Sequence, residues 1–254
     1  MKRIALILPA YNVEDYIERS FSNIQKGIEK FPEHEFTLFP IDDASKDRTY
    51  EAICYFGVHY KLRVRPFRNP KNIGNALSLK RIYQSTINTA NDVFIKTDLD
   101  ADFNQQTVIE RLMPYVTKDV ELVIGVRWRR FTQEENPYEY AWREEELKIL
   151  KEHFGIDNLD PPSTGSQFYK KSLLKELLSW PVVQMYDRRW SLDMLLDLLS
   201  IKLDKKVEIN LEDGHYDSVR RPKEKIDDQY NCDIEIISLL TGKHPREISK
   251  LYNR

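Results

Sequence analysis

Residues 94–104 read Phe94-Ile95-Lys96-Thr97-Asp98-Leu99-Asp100-Ala101-Asp102-Phe103-Asn104, an apolar run that gives way at once to three carboxylates at alternate positions. In an extended backbone, residues two apart point to the same side. Three like charges crowded together cost free energy unless a cation sits among them. Oxygen donors with no His or Cys nearby suit Mg2+ or Mn2+ rather than zinc. Magnesium usually takes one or two carboxylates and fills its other positions with phosphate oxygens and water. An acidic pair at a strand end therefore points to a phosphate-bearing substrate.

The pattern on either side supplies the setting. Buried-strand patterns at 4–8, 36–41, 62–66, 93–97 and 121–126 alternate with helical spacing at 13–30, 47–60, 74–89 and 105–116. This alternation predicts an α/β fold, a mostly parallel, doubly wound sheet flanked by helices. Ligands of such sheets bind beyond the C-terminal ends of the strands. Four polar loops fall there: Pro9-Ala10-Tyr11-Asn12, Asp42-Asp43-Ala44-Ser45, residues 69–75 with Asn72 and Gly74, and the acidic run itself. Any one of them could be an ordinary capping loop, as Ser45 or Asp102 alone would suggest. All four on one rim read as a site.

Beyond 126 the alternation stops. Residues 131–154 are highly charged and predict a loop with a solvent-facing helix, or a mobile lid. Helices are expected at 171–179 and 187–203, a last strand at 207–211, and two helices in the tail from 225. The chain has 254 residues, 41% of them apolar, and a net charge of -2, which suits one larger globular domain or one domain with a C-terminal extension. That charge gives no general attraction for nucleic acid. The local clusters Arg127-Trp128-Arg129-Arg130 and Arg220-Arg221-Pro222-Lys223 suit a small anionic ligand instead. Cys54 and Cys232 form neither a disulfide framework nor a metal-ligand spacing, so a reducing cytoplasm is expected. No apolar run approaches the roughly 18–20 residues of a spanning helix, which leaves transient contact with a membrane surface as the closest expected approach. The apolar start at 4–9 is too short for a signal peptide.

Asp193 stands among Trp190, Leu192, Met194, Leu195 and Leu196. A buried unpaired carboxylate is costly, so Asp193 should be paired, protonated or catalytic. The structural alternatives are a helix-dipole role behind an N-cap at Ser191, or pairing with Arg188 or Arg189.

Taken together, Pro9-Ala10-Tyr11-Asn12, the stretch Ile-Asp-Asp-Ala-Ser-Lys-Asp-Arg-Thr at 41–49, Asn-Pro-Lys-Asn-Ile-Gly-Asn-Ala at 69–76 and Asp-Ala-Asp-Phe-Asn at 100–104 resemble the family-2 glycosyltransferases of the GT-A (nucleotide-diphospho-sugar transferase) fold. The segment 123–130, Val-Ile-Gly-Val-Arg-Trp-Arg-Arg, is similar to the Gly-x-Arg segment of the polyprenyl-phosphate (dolichol-phosphate) mannosyltransferases. The resemblance implies that Pro9, Tyr11, Asp42 and Asp43 cradle a nucleoside, with Asn72 and Gly74 beside the donor. It implies that Asp100 and Asp102 hold Mg2+ or Mn2+ on the diphosphate, and that Arg127, Arg220 and Lys223 contact phosphate. Val13 replaces a glutamate of that branch, and Asn104 stands where a glutamine is common. A weaker similarity, carried by Trp190-Ser191-Leu192-Asp193 and Glu212-Asp213-Gly214-His215, is to GT-A enzymes that glycosylate glycerate or phosphoglycerate. It makes His215 a third metal ligand and sets Asp193 facing the acceptor as the catalytic base.

The implied activity is transfer of mannose or glucose from a nucleoside-diphosphate sugar, GDP-mannose ahead of UDP-glucose. The acceptor would be a polyprenyl phosphate or a small phosphorylated or carboxylated molecule. Residues 1–127 would form the sugar-nucleotide-binding half, 128–225 the acceptor half, and 226–254 a C-terminal helical extension. A nucleotidyltransferase would share the sheet and metal carboxylates but would want a Gly-rich basic phosphate loop near the N-terminus, which residues 9–12 are not. A non-catalytic sugar-nucleotide-binding protein would keep the rim and lose the acceptor side.

Overall fold

A computed structural model describes residues 1–100, 104–127, 134, 136–156, 165–212, 223–250 and 252, with the backbone alone at 126, 127 and 210–212. Strand β1 (Arg3–Ala10) is followed by α1 (Glu14–Glu29), β2 (Glu35–Asp42), α2 (Thr49–His59), β3 (Phe67–Arg68), α3 (Asn75–Thr86) and β4 (Val93–Thr97). Then come α4 (Gln105–Leu112), β5 (Leu122–Arg127), α5 (Pro137–Phe154), β6 (Ser166–Lys170), α6 (Lys171–Ser179) and α7 (Pro181–Met185). The chain closes with α8 (Leu192–Lys202), β7 (Val207–Glu212), α9 (Lys223–Thr241) and α10 (Pro245–Ile248).

The seven strands lie in the order β3-β2-β1-β4-β6-β5-β7. All run parallel except β6, which is antiparallel to β4 and β5. Period two along β1 sorts its side chains. Ile4, Leu6 and Leu8 join Ile17, Phe21 and Ile24 of α1, while Ala5 and Ile7 join Leu79 of α3 and Leu195 of α8. A strand buried on both faces needs an unbroken apolar run, and residues 4–8 supply one.

Four differences from the expected elements have physical causes. The third strand lies at Phe67–Arg68, although Arg63 and Arg65 already exchange backbone hydrogen bonds with Leu38. Pro40 of β2, which faces residues 65 and 67 in this ladder, has no N–H to donate to the Arg65 carbonyl, so the ladder is interrupted there. The helix expected from 187 begins at Leu192, because Ser191 takes a left-handed φ of 67°. Strand β6 is an addition, fixed by long-range pairing that sets Gln167 opposite Lys96.

The fourth difference concerns α5, which has an exposed face but turns part of its charge inward. Its Glu139, Arg143 and Glu146 are 2%, 3% and 1% exposed and share a buried stripe with Trp142, Ile149 and Leu150. The charges enter the interior as partners, Arg143 Nη2 lying 2.7 Å from Glu139 Oε1. Helix α9 buries Ile226, Tyr230, Ile234 and Ile237 in the same core as α8. Among the described residues, no helix is long and apolar enough to cross a membrane.

Removing one member of a buried ion pair strands its partner. Glu139→Ala should cost about 3–5 kcal/mol in urea unfolding. A loss under about 1 kcal/mol, typical of exposed pairs, would contradict the buried arrangement.

Candidate active site

The four rim loops are tied to one another by hydrogen bonds that the paired aspartates organise. Asp43 Oδ1 accepts from Asn69 Nδ2 at 2.8 Å and from the Ile73 N–H at 2.9 Å, and Oδ2 accepts from the Gly74 N–H at 2.8 Å. The Asp43 carbonyl accepts from Asn72 Nδ2 at 3.2 Å. Asp42 Oδ1 accepts from the Ser45 N–H at 3.0 Å and from the Ser45 hydroxyl, and its Oδ2 lies 3.0 Å from Arg68 Nε. Both carboxylates are buried. They were expected to cradle the nucleoside; in the fold their oxygens are spent on the rim loops themselves. Each hydrogen bond to a charged group contributes roughly 1.5–3 kcal/mol.

The first loop is tied to the second through Asn12, whose φ of 54° is one that asparagine tolerates. Its N–H donates to Ser45 Oγ at 2.9 Å, and its side chain accepts from the Lys46 N–H at 2.8 Å. The Pro9 carbonyl lies 3.5 Å from the Leu99 N–H in the fourth loop, and the Tyr11 side chain is exposed. At Gly74, φ is 95°, and an added Cβ would stand 2.6–2.8 Å from the backbone and Cβ of Arg189. That close approach lets the Arg189 carbonyl accept from the Ala76 N–H at 2.9 Å, while its guanidinium donates to Asn72 Oδ1. The rim is thereby docked against the segment leading into α8.

Strand β4 ends at Thr97, as its sequence predicts. The cation beside Asp98 is a side chain: Lys96 Nζ lies 3.1 Å from Asp98 Oδ1. Leu99 is fully buried, Asp100 is half-buried on the rim, and the Asp98 carbonyl accepts from Gln105 Nε2 at 2.9 Å. Asn104 spends its side-chain oxygen capping α4. Among the described residues, no three His, Cys, Asp or Glu side chains converge as a metal site. Asp100 offers a hard oxygen donor at the rim, which fits an ion that draws other ligands from a diphosphate and water. Asp102, His215 and Arg220 lie outside the described residues, and Arg127 is placed only as the backbone end of β5. Lys223 begins α9 with its ammonium 4.9 Å from the centre of the Tyr138 ring.

Asp193 sits in the first turn of α8, its Oδ2 3.5 Å from Lys96 Nζ. Its two arginine alternatives are engaged elsewhere, Arg188 with Glu235 and Arg189 with Asn72. Ser191 occupies the N-cap position but makes no side-chain cap to the helix. Burial raises the Asp193 carboxyl above its usual range, Lys96 opposes the rise, and the Asp98 charge adds to it. One turn on, fully buried Asp197 accepts from the Tyr169 hydroxyl at 2.9 Å and from Gln167 Nε2 at 3.4 Å. Burial and then the Asp193 charge push Asp197 up to about 8. Lys96 and Asp197 escaped the sequence reading, although each is a charge set among apolar neighbours, the signal that singled out Asp193.

Between an unfolded pKa near 4 and about 8, folded Asp197 keeps a proton that the unfolded chain has released, so its contribution to stability falls as pH rises across that window. The urea midpoint should therefore decline more steeply from pH 5 to pH 8 in the native chain than in Asp197→Asn. Equal slopes would show that Asp197 is ionised in the fold.

The comparisons with known proteins agree with this geometry. The family model described as Glycosyl transferase family 2 matches residues 5–178. Over 134 residues the chain is 25% identical to a dolichol-phosphate mannosyltransferase of Pyrococcus furiosus, covering 53% of this chain and 36% of that protein. The chain thus spans about a third of the length of that relative. Glucosyl-3-phosphoglycerate synthase from Mycobacterium tuberculosis, solved with Mn2+, UDP and glucosyl-3-phosphoglycerate, superposes with a TM-score of 0.68 at 17% identity, over 96% of this chain and 81% of that one. The same enzyme with Mn2+, UDP-glucose and phosphoglyceric acid gives 0.66 at 17% identity and the same coverage. These superpositions show the fold, GT-A. The family match runs from within β1 to the last turn of α6 and takes in all four rim loops, and on that extent the chain belongs to glycosyl transferase family 2.

Proposed function

We propose that this protein transfers a hexose from a nucleoside-diphosphate sugar to an acceptor hydroxyl, with Mg2+ or Mn2+ bound. The observation that carries the reading is the meeting of the acidic corner after β4 with Asp193 at the start of α8. Residues 1–127 bind the donor: Pro9 and Tyr11 face the nucleoside on the frame built by Asp42 and Asp43, with Asn72 and Gly74 completing the rim. Asp100 and Asp102, joined by His215, hold the metal, which when bound neutralises charge on the departing diphosphate. Arg127, Arg220 and Lys223 add donors to the same phosphates.

Residues 128–225 receive the acceptor. Asp193 takes the hydroxyl proton as the oxygen bonds to the anomeric carbon and the carbon–diphosphate bond breaks, so the configuration inverts. A carboxyl raised by burial suits a base working near neutral pH. Such a base serves an acceptor hydroxyl, whereas a phosphate oxygen is already deprotonated and needs none. That chemistry favours a small phosphorylated or carboxylated alcohol over a polyprenyl phosphate. For the donor, the sequence motif at 100–104 supports GDP-mannose, and UDP-glucose gains support from the structural neighbour solved with it.

Thermal unfolding with GDP-mannose and with UDP-glucose, each with and without Mn2+, separates the donors. The true donor should stabilise by about 2.7 kcal/mol at 100-fold saturation, in the presence of Mn2+. Asp100→Ala or Asp102→Ala should abolish that stabilisation. Asp193→Asn should keep it and slow transfer about 10²- to 10⁴-fold. Normal turnover by Asp193→Asn would remove it as the base, and pyrophosphate release from a nucleoside triphosphate would favour a nucleotidyltransferase.

A further inference from the structure

Lys96 lies in the interior of the sheet, 1% exposed, with its amine within ion-pairing distance of two carboxylates. Burying an ion costs several kcal/mol unless well-placed partners offset it. Two of its partners come from different parts of the molecule. Asp98 Oδ1 at 3.1 Å belongs to the loop that leads to the metal corner, and Asp193 Oδ2 at 3.5 Å belongs to the helix on the acceptor side. Gln167 of β6 stands opposite Lys96 in the antiparallel ladder, and it also donates to Asp197. The other hydrogen bond Asp193 accepts is local, from the Met194 N–H at 3.2 Å, and cannot fix the carboxylate relative to the sheet. Lys96 can, because strand β4 is locked between β1 and β6.

We propose that Lys96 is a positioning residue for transfer, a single buried ammonium that sets the Asp193 carboxylate at a fixed distance from the acidic corner. The proposal rests on Asp193 being the base. Lys96 keeps its protons throughout: the acceptor proton passes to Asp193, and the electron pair of the broken bond leaves with the diphosphate. Bringing the reacting groups into register is where much catalytic power lies, and a misplacement near 1 Å can cost about 100-fold. A lysine that merely compensated charge would affect folding and leave the base in place.

The test is a double-mutant cycle in the full chain, using Mn2+ with UDP-glucose and with GDP-mannose. Lys96→Met should lower kcat by about 30-fold or more with donor KM changed less than about 3-fold. Added to Asp193→Asn, it should cost less than about 3-fold further, because the group it positions is already gone. Lys96→Arg, which keeps the charge, should recover part of the lost kcat. Equal losses on the native and Asp193→Asn backgrounds would overturn the proposal, as would a raised donor KM with unchanged kcat. Lys96→Gln serves if Lys96→Met does not fold, and failure of both to fold would make Lys96 a structural residue and also overturn it. If Asp193→Asn is slow while the Lys96 variants turn over normally, only the positioning role falls. If Asp193→Asn turns over normally, the base assignment falls first.

Discussion

A buried ammonium between carboxylates of different elements is the constraint around which this molecule is arranged. Lys96 is 1% exposed and reaches two partly buried carboxylates, Asp98 at 3.1 Å and Asp193 at 3.5 Å, and such partners offset part of the cost of burying its amine. These contacts tie the end of β4 to the start of α8. A second joint lies nearby, where the absence of a side chain at Gly74 admits the Arg189 backbone against the third rim loop. Two contacts of different kinds, one electrostatic and one steric, thus hold the rim loops in register with α8.

The rim follows the same logic on a smaller scale. Asp42 and Asp43 turn their carboxylates inward, onto Ser45, Arg68, Asn69 and the backbone of residues 73–74. Charge spent on the loops makes the site pre-formed, so a ligand need not bear the cost of ordering them. The Tyr11 ring stays exposed on this frame. Deeper in, buried Asp197 accepts from Tyr169 and Gln167 in a polar floor under α8.

Much of this was legible in the sequence, and the reasons differ by element. Strands β1, β2, β4 and β5 are continuous apolar runs, which a sheet covered on both faces demands, so their positions could be read directly. The four polar loops followed from them, and with the loops the rim. Helix α5 was misread because its charges pair inside the fold, which no tally of exposed charge anticipates. Strand β6 is short and depends on pairing with β4 and β5, remote in the chain. Three alternating aspartates predict a cation among them, and beside Asp98 stands the Lys96 side chain, which the search for a metal passed over. The rule that residues two apart share a side also reaches back from Asp98 to Lys96. The turn before α8 was hidden for another reason: a left-handed serine leaves no mark on the apolar pattern that follows it.

The central claim is that the corner holding Asp100 and Asp102 grips a divalent ion that grips a diphosphate in turn. Crystals soaked with Mn2+ and UDP or GDP, measured at the manganese absorption edge, test it most directly. An anomalous peak within bonding distance of Asp100 and Asp102 and of the diphosphate oxygens is the expected result. Diphosphate bound with no manganese at that corner, or manganese bound elsewhere, would contradict it.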